Sequence, residues 1–486
     1  MKNKPLIFDY NLKTLLVGLG ETGYSCAKFL SKKNCPFDIC DTRETPPYLA
    51  QLNKELPEIT VLTSVKLDQN LLQSYQQIVI SPGISVKDKL YEQFKQSGKL
   101  IIGDIVLFIQ ENLNTNNKPI IAVTGSNGKS TVVTLAEQML KKAGHQVSAG
   151  GNLGVPALDL LEMEVEIYIL ELSSFQLETI PEEYFQEEVF DSAVLLNVSE
   201  DHMDRYESLE DYRKVKESIF KLSKHCVFNK NEWLLDETLK EKQHLEFSLG
   251  KPDKNGFGLI NENGVTYLVQ DICSHQSPSY KKIMPVSEIA ITGKHNYSNI
   301  LATLALLEPF VLSYSSMIAA IQTYKGLAHR CEWVANIGKV DFYNDSKGTN
   351  VGATIAAINS YERPKLLIAG GVGKNADFSE LGKIINQKIK HVLLFGQDAE
   401  LIKSAILNEQ QLNNNTKNEQ SISSQTVTLV SIEIVKDIQQ AVSTAQQLAR
   451  EGDLVLFSPA CASFDMYKNY IERGEDFVFH VEKQVF

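Results

Sequence analysis

Short apolar runs alternate with longer amphipathic segments along most of this chain. Residues 14–18 (Thr-Leu-Leu-Val-Gly) predict a buried strand, which a glycine turn and a helix around 22–33 follow. Residues 37–41 and 77–81 predict two further buried strands, and the second of these ends at Pro82. This alternation of strands and helices is typical of a parallel sheet that is covered by helices on both faces.

Two further series of the same kind follow along the chain. The second starts near Gly103, with strands expected at 166–171 and 192–197, and residues 245–270 add short strands that we expect to be antiparallel. The third series begins after residues 324–327. Its strands are expected near 339–344, 365–369, 391–395 and 453–457.

The length and the charge of the chain narrow its fold and its function. A chain of 486 residues, at about 150 residues per domain, predicts three domains of class α/β. We place a Rossmann-like domain at 1–102, a central P-loop mononucleotide-binding domain at 103–326 and a second Rossmann-like domain at 327–486. The net charge of −12 argues against a surface for nucleic acid or for anionic membranes.

The cysteines and the hydropathy indicate a compartment. None of the seven cysteines has CxxC or zinc-ligand spacing, which fits reduced thiols in the cytoplasm. No apolar run reaches the roughly 18 residues of a membrane span, and the first residues lack the apolar region of a signal peptide. We therefore expect a cytoplasmic protein that is not an integral membrane protein. Residues 408–427 are rich in Asn, Gln and Ser, so we expect a surface loop there.

The segment 121–131 (Ile-Ala-Val-Thr-Gly-Ser-Asn-Gly-Lys-Ser-Thr) has the order that chemistry on a nucleoside triphosphate needs. Glycines let backbone N–H groups close around phosphate oxygens, and the start of the next helix adds partial positive charge. Lys129 can reach the β- and γ-phosphates, and a hydroxyl of Ser130 or Thr131 can hold Mg²⁺. The strict Walker pattern would need glycine in place of Val123, so a chance match of a short string is the alternative.

A second glycine motif follows the first predicted strand. Residues 18–23 (Gly-Leu-Gly-Glu-Thr-Gly) match G-x-G-x-x-G, and Asp41 lies 18 residues beyond Gly23. Taken alone, this is the dinucleotide fingerprint of a dehydrogenase, with Asp41 on a ribose hydroxyl. Two alternatives stay open at this point: a glycine turn that serves packing only, and a site for a nucleotide other than NAD.

Polar groups at strand ends of the second series suit a hard cation. Glu171 ends an apolar strand near the phosphate loop, where a Mg²⁺ ligand of the Walker-B kind belongs, although a solvated carboxylate is the alternative. Another strand ends in residues 197–206, which cluster Glu200, Asp201, His202 and Asp204. Further along, Lys216 lies in a charged helix, and on sequence alone a solvated helix face is the favoured interpretation.

Three strand ends of the third series also carry small or polar groups, in residues 344–350, 370–374 and 458–463. Open α/β sheets bind their ligands at the carboxyl edge of the strands, so we expect a substrate site there. Cys461 has no activating His in its motif, and we expect it to be a small buried residue rather than a nucleophile.

Taken together, these motifs resemble those of the Mur ligases over nearly the full length of the chain. Many short motifs in one order are more specific than any single motif, and a dehydrogenase would explain only the first. The matching segments are 18–23, 41–43, 81–83, 103–105, 124–131, 150–152, 171–176, 201–206, 295–299, 327–330, 344–350, 370–374 and 458–463.

The resemblance implies a role for individual residues. The N-terminal domain would hold the UDP end of a substrate, so its glycine loop would bind pyrophosphate without NAD. The implied UDP-substrate residues are Glu21, Thr22, Asp41, Thr42, Arg43, Ser81, Gly83, Asn152 and His202. The implied ATP residues are Gly125, Ser126, Asn127, Gly128, Lys129, Ser130, Thr131, Asn299, Arg330 and Asp345. The implied D-glutamate residues are Lys347, Thr349, Lys374, Ser463 and Tyr470, and the family has Phe in place of Tyr470.

The resemblance also implies a metal and a modified side chain. Ser130, Glu171, His202 and Lys216 would serve two Mg²⁺ ions. Lys216 would be carbamylated, which turns a cation into a carboxylate-like ligand and reverses the solvated interpretation. The implied catalytic residues are Lys129, His202, Lys216 and Arg330.

The implied reaction is ATP-dependent amide formation between D-glutamate and UDP-N-acetylmuramoyl-L-alanine through an acyl phosphate, in peptidoglycan precursor biosynthesis. The resemblance further implies a cytoplasmic enzyme, and we expect a monomer.

Within the ligases, a folylpolyglutamate synthetase or a Mur ligase for another amino acid shares the ATP machinery. From other classes, a non-catalytic nucleotide sensor and an NAD-binding oxidoreductase are the alternatives.

Overall fold

The apolar runs of the sequence become the central strands of three sheets. We describe them from a computed structural model that covers residues 8–86, 89–152, 154–180, 185, 187–203, 205–232, 242–253, 256–272, 279–291, 293–418 and 430–484. The chain groups into two compact units. The first unit is Met1–Asn197, Glu210–Ile289 and Asn299–Thr323, and the second is Val198–Leu209, Ala290–Ser298 and Tyr324–Phe486.

The first sheet belongs to the first unit. Its strands and helices are β1 (Thr14–Val17), α1 (Glu21–Lys32), β2 (Phe37–Asp41), α2 (Leu49–Glu55), β3 (Val61–Thr63), α3 (Gln69–Gln73), β4 (Gln77–Ile80), α4 (Lys89–Gln96) and β5 (Leu100–Ile102). The order is β3-β2-β1-β4-β5, and every neighbouring pair is parallel. The chain therefore reverses its direction of growth at β1, and a parallel sheet opens a crevice for ligands at such a point.

The second sheet carries the phosphate loop and also belongs to the first unit. The elements of this part are α5 (Asp104–Asn114), β6 (Ile120–Thr124), α6 (Lys129–Lys142), β7 (Val147–Gly151), α7 (Ala157–Leu160), β8 (Ile167–Glu171), α8 (Ser174–Leu177), β9 (Phe190–Leu195), α9 (Leu209–Lys221), β10 (Ser223–Asn229), β11 (Gln243–Phe247), β12 (Phe257–Glu262), β13 (Val265–Asp271), β14 (Tyr280–Pro285), α10 (Lys294–Leu307) and α11 (Tyr314–Thr323). All five residues of β6 and of β8 are buried, as central strands of a parallel sheet require.

The nine strands of this sheet lie in the order β14-β13-β12-β11-β10-β9-β6-β8-β7. The prediction of antiparallel strands over 245–270 is correct for β12 and β13 and wrong for β11, which is parallel to both β10 and β12. The sequence alone does not distinguish these cases, because a short strand pairs parallel or antiparallel according to its neighbours rather than its own pattern.

The third sheet lies in the second unit. Its elements are β15 (Glu332–Ile337), β16 (Val340–Asn344), α12 (Val351–Asn359), β17 (Lys365–Gly370), α13 (Ser379–Lys388), β18 (Ile389–Phe395), α14 (Ala399–Asn418), β19 (Ser431–Ile434), α15 (Ile438–Leu448), β20 (Leu454–Phe457) and α16 (Tyr470–Glu482). The order is β15-β16-β20-β17-β18-β19, and β15 is antiparallel to β16. An apolar cluster covers each face of the sheet: Leu367 and Leu456 belong to one, and Leu366 and Val455 to the other. Two covered faces are the arrangement that the sequence predicts.

The expectation of a surface loop at 408–427 is wrong for residues 408–418, which are helical. Residues 408–418 continue the helix α14, and residues 419–427 lie outside the described part of the chain. The helix is held at its buried residues Ile402 and Ile406, and Gln410 Nε2 donates a hydrogen bond to Asn386 Oδ1 at 3.0 Å. Gln, Glu and Leu favour helix, so a packed helix extends into a segment whose composition indicates a loop. Among the described residues, no helix is long and apolar enough to cross a membrane.

Candidate active site

The loop between β6 and α6 has the backbone geometry of a phosphate-binding loop. Gly125 and Gly128 have φ angles of +151° and +85°, in the region that residues with a Cβ atom rarely adopt. A Cβ atom on Gly128 would also collide with Oδ1 of Asn299. Glycine is therefore required at 128 for two reasons, and Asn299 lies directly against the loop.

The end of β9 fixes the same loop. The backbone N–H of Ser126 donates to the carbonyl oxygen of Asn197 at 2.9 Å. The N–H of Asn127 donates to Asn197 Oδ1 at 2.8 Å, and Asn197 Nδ2 donates to the carbonyl oxygen of Asn127 at 3.0 Å. Three hydrogen bonds to one residue preorganise the loop. No role for Asn197 follows from the sequence, because a single Asn at a strand end carries no motif of its own.

Two lysines converge on the loop. Lys129 Nζ donates to the carbonyl oxygens of Gly125 and Ser126 at 2.7 Å and 3.0 Å. Lys216 Nζ, from α9, donates to the carbonyl oxygen of Gly125 at 3.1 Å, and it lies 4.6 Å from the ring centroid of Tyr212. Lys216 is only 1% exposed. The solvated interpretation of its helix is therefore wrong, because the apolar side of α9 carries this lysine inward.

Glu171 at the end of β8 has one carboxylate oxygen that suits a cation. Its side chain is buried, Oε1 accepts a hydrogen bond from Asn152 Nδ2 at 3.0 Å, and Oε2 has no hydrogen-bond partner among the described residues. A buried carboxylate oxygen without a donor is costly unless a ligand satisfies it. In the described part of the chain, no three His, Cys, Asp or Glu residues cluster as a metal site, so a cation here would also need hydroxyl or other oxygens.

A cavity of about 630 Å³ opens in the first unit beside the crevice of the first sheet. Gly18, Gly20 and Ile84 line it together with Gln176. Eight of the nine UDP-substrate residues that the sequence suggests also line it: Glu21, Thr22, Asp41, Thr42, Arg43, Ser81, Gly83 and Asn152. The ninth, His202, belongs to the second unit. Asn152 therefore lines this cavity and contacts Glu171 at the same time.

The carboxylate of Asp41 is held in a fixed orientation at this cavity. The N–H of Leu19 donates to Oδ2 at 2.8 Å, while Arg43 Nε and NH2 donate to Oδ1 and Oδ2 at 2.9 Å and 2.6 Å. Burial raises the pKa of Asp41, but the hydrogen bonds from Arg43 and Leu19 outweigh it and lower the pKa to about 2. Asp41 is thus ionised, and the guanidinium of Arg43 is positioned at the cavity wall.

In the second unit, Asp345 follows β16 and is buried. Its Oδ2 accepts a hydrogen bond from Ser458 Oγ at 2.6 Å, and its Oδ1 accepts one from the N–H of Cys331 at 3.2 Å. Burial raises the pKa of Asp345 to about 6, although the Ser458 hydrogen bond and the nearby Arg330 oppose the rise. The loops after β16 and β20 are therefore joined at this carboxylate.

Lys347 and Tyr470 form a second pair in this unit. The Nζ atom of Lys347 lies 3.9 Å from the ring centroid of Tyr470, a cation–π contact. Ser346 Oγ donates to the carbonyl oxygen of Tyr470 at 2.8 Å, which ties the start of α16 to the loop after β16. Thr349 continues that loop, and its N–H donates to the carbonyl oxygen of Lys347 at 2.8 Å.

The loops that carry Lys374 and Ser463 are also adjacent, because Val372 and Ala462 form an antiparallel bridge. Lys374 has a φ angle of +53°, and Ser463 is buried. All five suggested D-glutamate residues therefore lie on loops or helix starts at one edge of the third sheet. Cys461, in the same segment, is fully buried as expected.

A buried arginine that the sequence did not single out joins these loops. Arg473 is 0% exposed, and its Nε and NH2 donate to Oγ and the carbonyl oxygen of Ser346 at 3.1 Å and 2.8 Å. Its NH1 donates to the carbonyl oxygen of Cys461 at 3.0 Å. Burial lowers the pKa of Arg473 to about 10, so it stays a cation at neutral pH. Its only sequence signal is a lone Arg on an otherwise amphipathic helix.

His202 lies in the second unit with Asp201 and Asn350. Its φ angle is +58°, and its N–H donates to Asp201 Oδ1 at 3.0 Å. Asp201 Oδ2 accepts a hydrogen bond from Asn350 Nδ2 at 3.2 Å. Asp204, which the sequence placed in the same cluster, lies outside the described residues. The predicted metal ligands are thus divided, with Ser130, Glu171 and Lys216 in the first unit and His202 in the second.

Family models and curated relatives match this chain over most of its length. The family model of the Mur ligase MurD-like N-terminal domain matches residues 12–103. The models of the Mur ligase middle domain and of the Mur ligase glutamate ligase domain match residues 123–307 and 329–461. A curated UDP-N-acetylmuramoylalanine–D-glutamate ligase of Pseudomonas aeruginosa is 42% identical over 474 residues, which cover 96% of this chain and 97% of the relative.

The chain belongs to the Mur ligase family. Two more curated UDP-N-acetylmuramoylalanine–D-glutamate ligases support this, and both are 40% identical to the chain. That of Nitrosococcus oceani aligns over 98% of both chains, and that of Coxiella burnetii over 96% of this chain and 98% of its own.

Solved Mur ligases share the fold at low identity. UDP-N-acetylmuramate-alanine ligase from Thermotoga maritima has a TM-score of 0.54 at 15% identity and covers 97% of this chain and 100% of its own. MurF from Acinetobacter baumannii has a TM-score of 0.56 at 15% identity and covers 96% and 90%. The three-domain α/β architecture of the Mur ligases is thus confirmed for this chain, while the limits 1–102, 103–326 and 327–486 stay a prediction.

Most members of each suggested group lie close together in this Mur ligase, but His202 of the UDP-substrate group and Arg330 and Asp345 of the ATP group belong to the second unit, not to the first. One group lines the cavity of the first unit, one surrounds the phosphate loop, and one lies at an edge of the third sheet. Asn299 contacts the phosphate loop through Gly128. Its suggested role in binding ATP stays a prediction, as do the individual roles of the other residues.

Proposed function

We propose that this Mur ligase joins D-glutamate to UDP-N-acetylmuramoyl-L-alanine with ATP, as a step in the synthesis of peptidoglycan precursors. The curated relatives named above carry this activity in their names. The observation that supports the proposal best is the position of Asn152, which lines the cavity of the first unit and donates to Glu171. The proposed sites for the UDP substrate and for the nucleotide phosphates therefore share one hydrogen bond.

The phosphate loop supplies the ATP site in this proposal. Its backbone N–H groups, the start of α6 and Lys129 provide positive potential for the phosphates. Asn299 would complete the site from α10, and Arg330 and Asp345 are the further ATP residues that we propose. Phosphoryl transfer needs mainly positioning and neutralisation of charge, and these residue types supply both.

The donor set fits Mg²⁺, because Glu171 Oε2 is a buried carboxylate oxygen without a partner. The hydroxyl of Ser130, the side chain of His202 and a carbamylated Lys216 would complete the ligands of two ions. Bound Mg²⁺ would supply neutralisation of the phosphate charge. Among the described residues, no three His, Cys, Asp or Glu side chains cluster as a metal site. A carbamate on Lys216 would therefore supply a ligand that these residue types do not.

The surroundings of Lys216 support its carbamylation. Its Nζ atom shares the Gly125 carbonyl oxygen with Nζ of Lys129, so a buried and a half-buried ammonium group would lie close together. Two like charges this close repel each other, and burial makes the repulsion stronger than it is in water. A carbamate on Lys216 would replace the repulsion with attraction to Lys129.

The reaction then follows from the chemistry of the groups. A carboxylate oxygen of the UDP-linked substrate attacks the γ-phosphorus of ATP, and the bond to ADP breaks. The acyl phosphate that results is attacked by the amine of D-glutamate, which loses a proton, and inorganic phosphate leaves as the amide forms. Lys129 and Arg330 would stabilise the charge of the transferred group. Exclusion of water would protect the acyl phosphate from hydrolysis.

The third sheet would hold D-glutamate. Lys347, Thr349, Lys374 and Ser463 offer two ammonium groups and two hydroxyls to two carboxylates, and this is the composition that an acidic amino acid needs. Tyr470 would hold Lys347 in place with its ring, a contact that a phenylalanine ring could also make. We propose that the enzyme acts as a monomer in the cytoplasm, where ATP is available.

Phosphate release tests the proposal. Purified protein is incubated with ATP, Mg²⁺ and UDP-N-acetylmuramoyl-L-alanine, and D-glutamate is compared with L-glutamate, L-alanine and meso-diaminopimelate. We expect release that D-glutamate alone stimulates. Stimulation by another amino acid would keep the ligase chemistry and overturn the substrate. Absence of release with all four would favour a nucleotide sensor, and tetrahydropteroate in place of the UDP substrate tests the folylpolyglutamate alternative.

A further inference from the structure

The segment Gly103-Asp104-Ile105 forms the start of α5, which connects the first two sheets along the chain. Asp104 is the first residue of the helix and is 2% exposed. A Cβ atom on Gly103 would collide with Oγ1 of Thr179, so glycine allows the helix start to approach the turn that follows α8. The start of α5 therefore packs against the segment that runs from Glu171 to Thr179.

Asp104 contacts one residue of this segment that faces the substrate cavity. Gln176 Nε2 donates to Asp104 Oδ2 at 3.2 Å. Gln176 is 1% exposed, yet it lines the cavity of about 630 Å³. Its Oε1 accepts hydrogen bonds from the N–H and the Oγ of Ser173 at 3.1 Å and 3.2 Å. Both ends of the Gln176 amide are thus engaged.

These two partners fix which end of the amide is the nitrogen. A backbone N–H can only donate, so Ser173 requires the oxygen on its side, and an ionised carboxylate can only accept, so Asp104 requires the nitrogen on the other. Burial raises the pKa of Asp104 to about 6, while the hydrogen bond from Gln176 opposes the rise, so the carboxylate is ionised at pH 7.5. The amide nitrogen has two protons, and Asp104 takes one.

We propose that Asp104 is a positioning residue for the UDP-substrate cavity, which holds the amide of Gln176 so that its second N–H meets an acceptor oxygen of the substrate. This inference rests on the proposed function, because the substrate is the one proposed above. Asp104 touches no substrate itself. It acts through Gln176, and its effect is therefore confined to the UDP-linked substrate rather than to ATP or D-glutamate.

A double-mutant cycle on the full-length enzyme tests this inference. The variants are Asp104→Ala, Asp104→Asn, Gln176→Ala and the double variant Asp104→Ala/Gln176→Ala, with the phosphate-release assay as the measurement. We expect Asp104→Ala to raise KM for UDP-N-acetylmuramoyl-L-alanine about tenfold, as the loss of one fixed hydrogen bond does, with kcat and the other two KM values changed little. Asp104→Asn keeps an acceptor oxygen and should restore most of the loss.

The double variant separates positioning from a merely structural role. If Asp104 acts through Gln176, its replacement has no further effect once Gln176 is Ala. Multiplicative effects of the two changes, or a parallel rise of all three KM values, would overturn the inference. Asp437→Ala serves as a control for the loss of a carboxylate at a helix start, because Asp437 precedes α15 and accepts from the N–H of Gln440. That variant should keep all KM values.

Two further measurements cover a variant that does not fold and a failure of the proposed function. If Asp104→Ala does not fold, Asp104→Asn and Gln176→Ala remain, and a wild-type KM for the UDP substrate in Gln176→Ala would overturn the inference by itself. Calorimetric binding of UDP-N-acetylmuramoyl-L-alanine without ATP then separates the two proposals. Wild-type protein that binds none contradicts the proposed function, whereas normal binding in both wild type and Asp104→Ala contradicts only the role of Asp104.

Discussion

The side-chain nitrogens of Lys129 and Lys216 donate to one acceptor, the carbonyl oxygen of Gly125, at 2.7 Å and 3.1 Å. Lys129 comes from the start of α6 and Lys216 from the middle of α9, so the contact joins two helices at the first glycine of the phosphate loop. An exposed lysine pair would separate into solvent, but Lys216 is buried. The arrangement therefore favours a modification that changes the sign of one of the two charges.

The first prediction concerns this pair. Lys216→Ala should lower kcat at least about 100-fold, because it removes the proposed ligand of the ions that neutralise the transferred phosphoryl group. Millimolar formate or acetate should restore part of the activity, since a small carboxylate can occupy the space of the lost carbamate. Lys214→Ala, which removes an exposed lysine of the same helix, should retain wild-type activity. A Lys216→Ala variant with unchanged kcat would contradict the role of Lys216.

The second prediction concerns the cation–π contact between Lys347 and Tyr470. Tyr470→Leu should raise KM for D-glutamate about fivefold, since a contact worth about 1 kcal/mol no longer holds the ammonium group. Tyr470→Phe should keep KM near the wild-type value, because the ring remains. Lys468→Ala removes an exposed lysine two residues away and should change nothing. Equal effects of the Phe and Leu variants would show that the hydroxyl, not the ring, matters.

The third prediction concerns the pH dependence of Asp345. Because its pKa is raised to about 6, the carboxylate becomes neutral as the pH falls through 6, and kcat/KM for ATP should fall with it. Asp345→Asn should give a low kcat/KM that does not follow this titration.

The ionisation of Asp345 should affect stability in the opposite sense to activity: as the pH rises, kcat/KM should increase while the free energy of unfolding decreases. A carboxyl whose pKa is raised on folding binds its proton more tightly in the folded state between about pH 4 and 6, so stability falls as the pH rises through that window. Asp345→Asn should therefore be no less stable than wild type at pH 7.5, and more stable by up to about 3 kcal/mol. A variant that unfolds more easily at pH 7.5 than at pH 4.5, relative to wild type, would contradict this.

The fourth prediction concerns Arg473. Arg473→Met keeps most of the volume but leaves carbonyl oxygens of Ser346 and Cys461 buried without their donors, which should cost about 2 kcal/mol or more of unfolding free energy. KM for D-glutamate should rise as well, because the loops after β16 and β20 lose the bridge that Arg473 forms between them, although the Ser458–Asp345 hydrogen bond remains. Arg450→Met, at an exposed arginine, should stay within about 0.5 kcal/mol of wild type in chemical denaturation. A fully stable Arg473→Met variant would contradict the bridging role.

Much of the fold could be predicted from the sequence because its strong signals are local. The apolar runs of β1, β4 and β6 are bounded by glycine turns, and their burial follows from composition alone. The strand β11 shows the limit of such local signals, since the direction of a short strand is set by the strands that it pairs with. The helix α14 shows the same limit of local signals. Its first turns are packed through Ile402 and Ile406, and the helix continues from them into a segment whose composition suggests a loop.

The candidate site divides in the same way. Lys129 and Glu171 lie in motifs whose chemistry can be argued from neighbouring residues. Lys216 could not be placed by such an argument, since only packing of α9 decides which of its lysines is buried. Asn197 and Arg473 carry no motif, and their importance depends on contacts with residues far away in the chain.

The transfer of oxygen between substrate and phosphate tests the central claim most directly. UDP-N-acetylmuramoyl-L-alanine labelled with ¹⁸O in the alanine carboxylate is converted with ATP, Mg²⁺ and D-glutamate, and the inorganic phosphate is analysed by mass spectrometry. An acyl phosphate predicts that one labelled oxygen appears in phosphate for each amide bond formed. Amide product with unlabelled phosphate, or phosphate release without any amide product, would contradict the account.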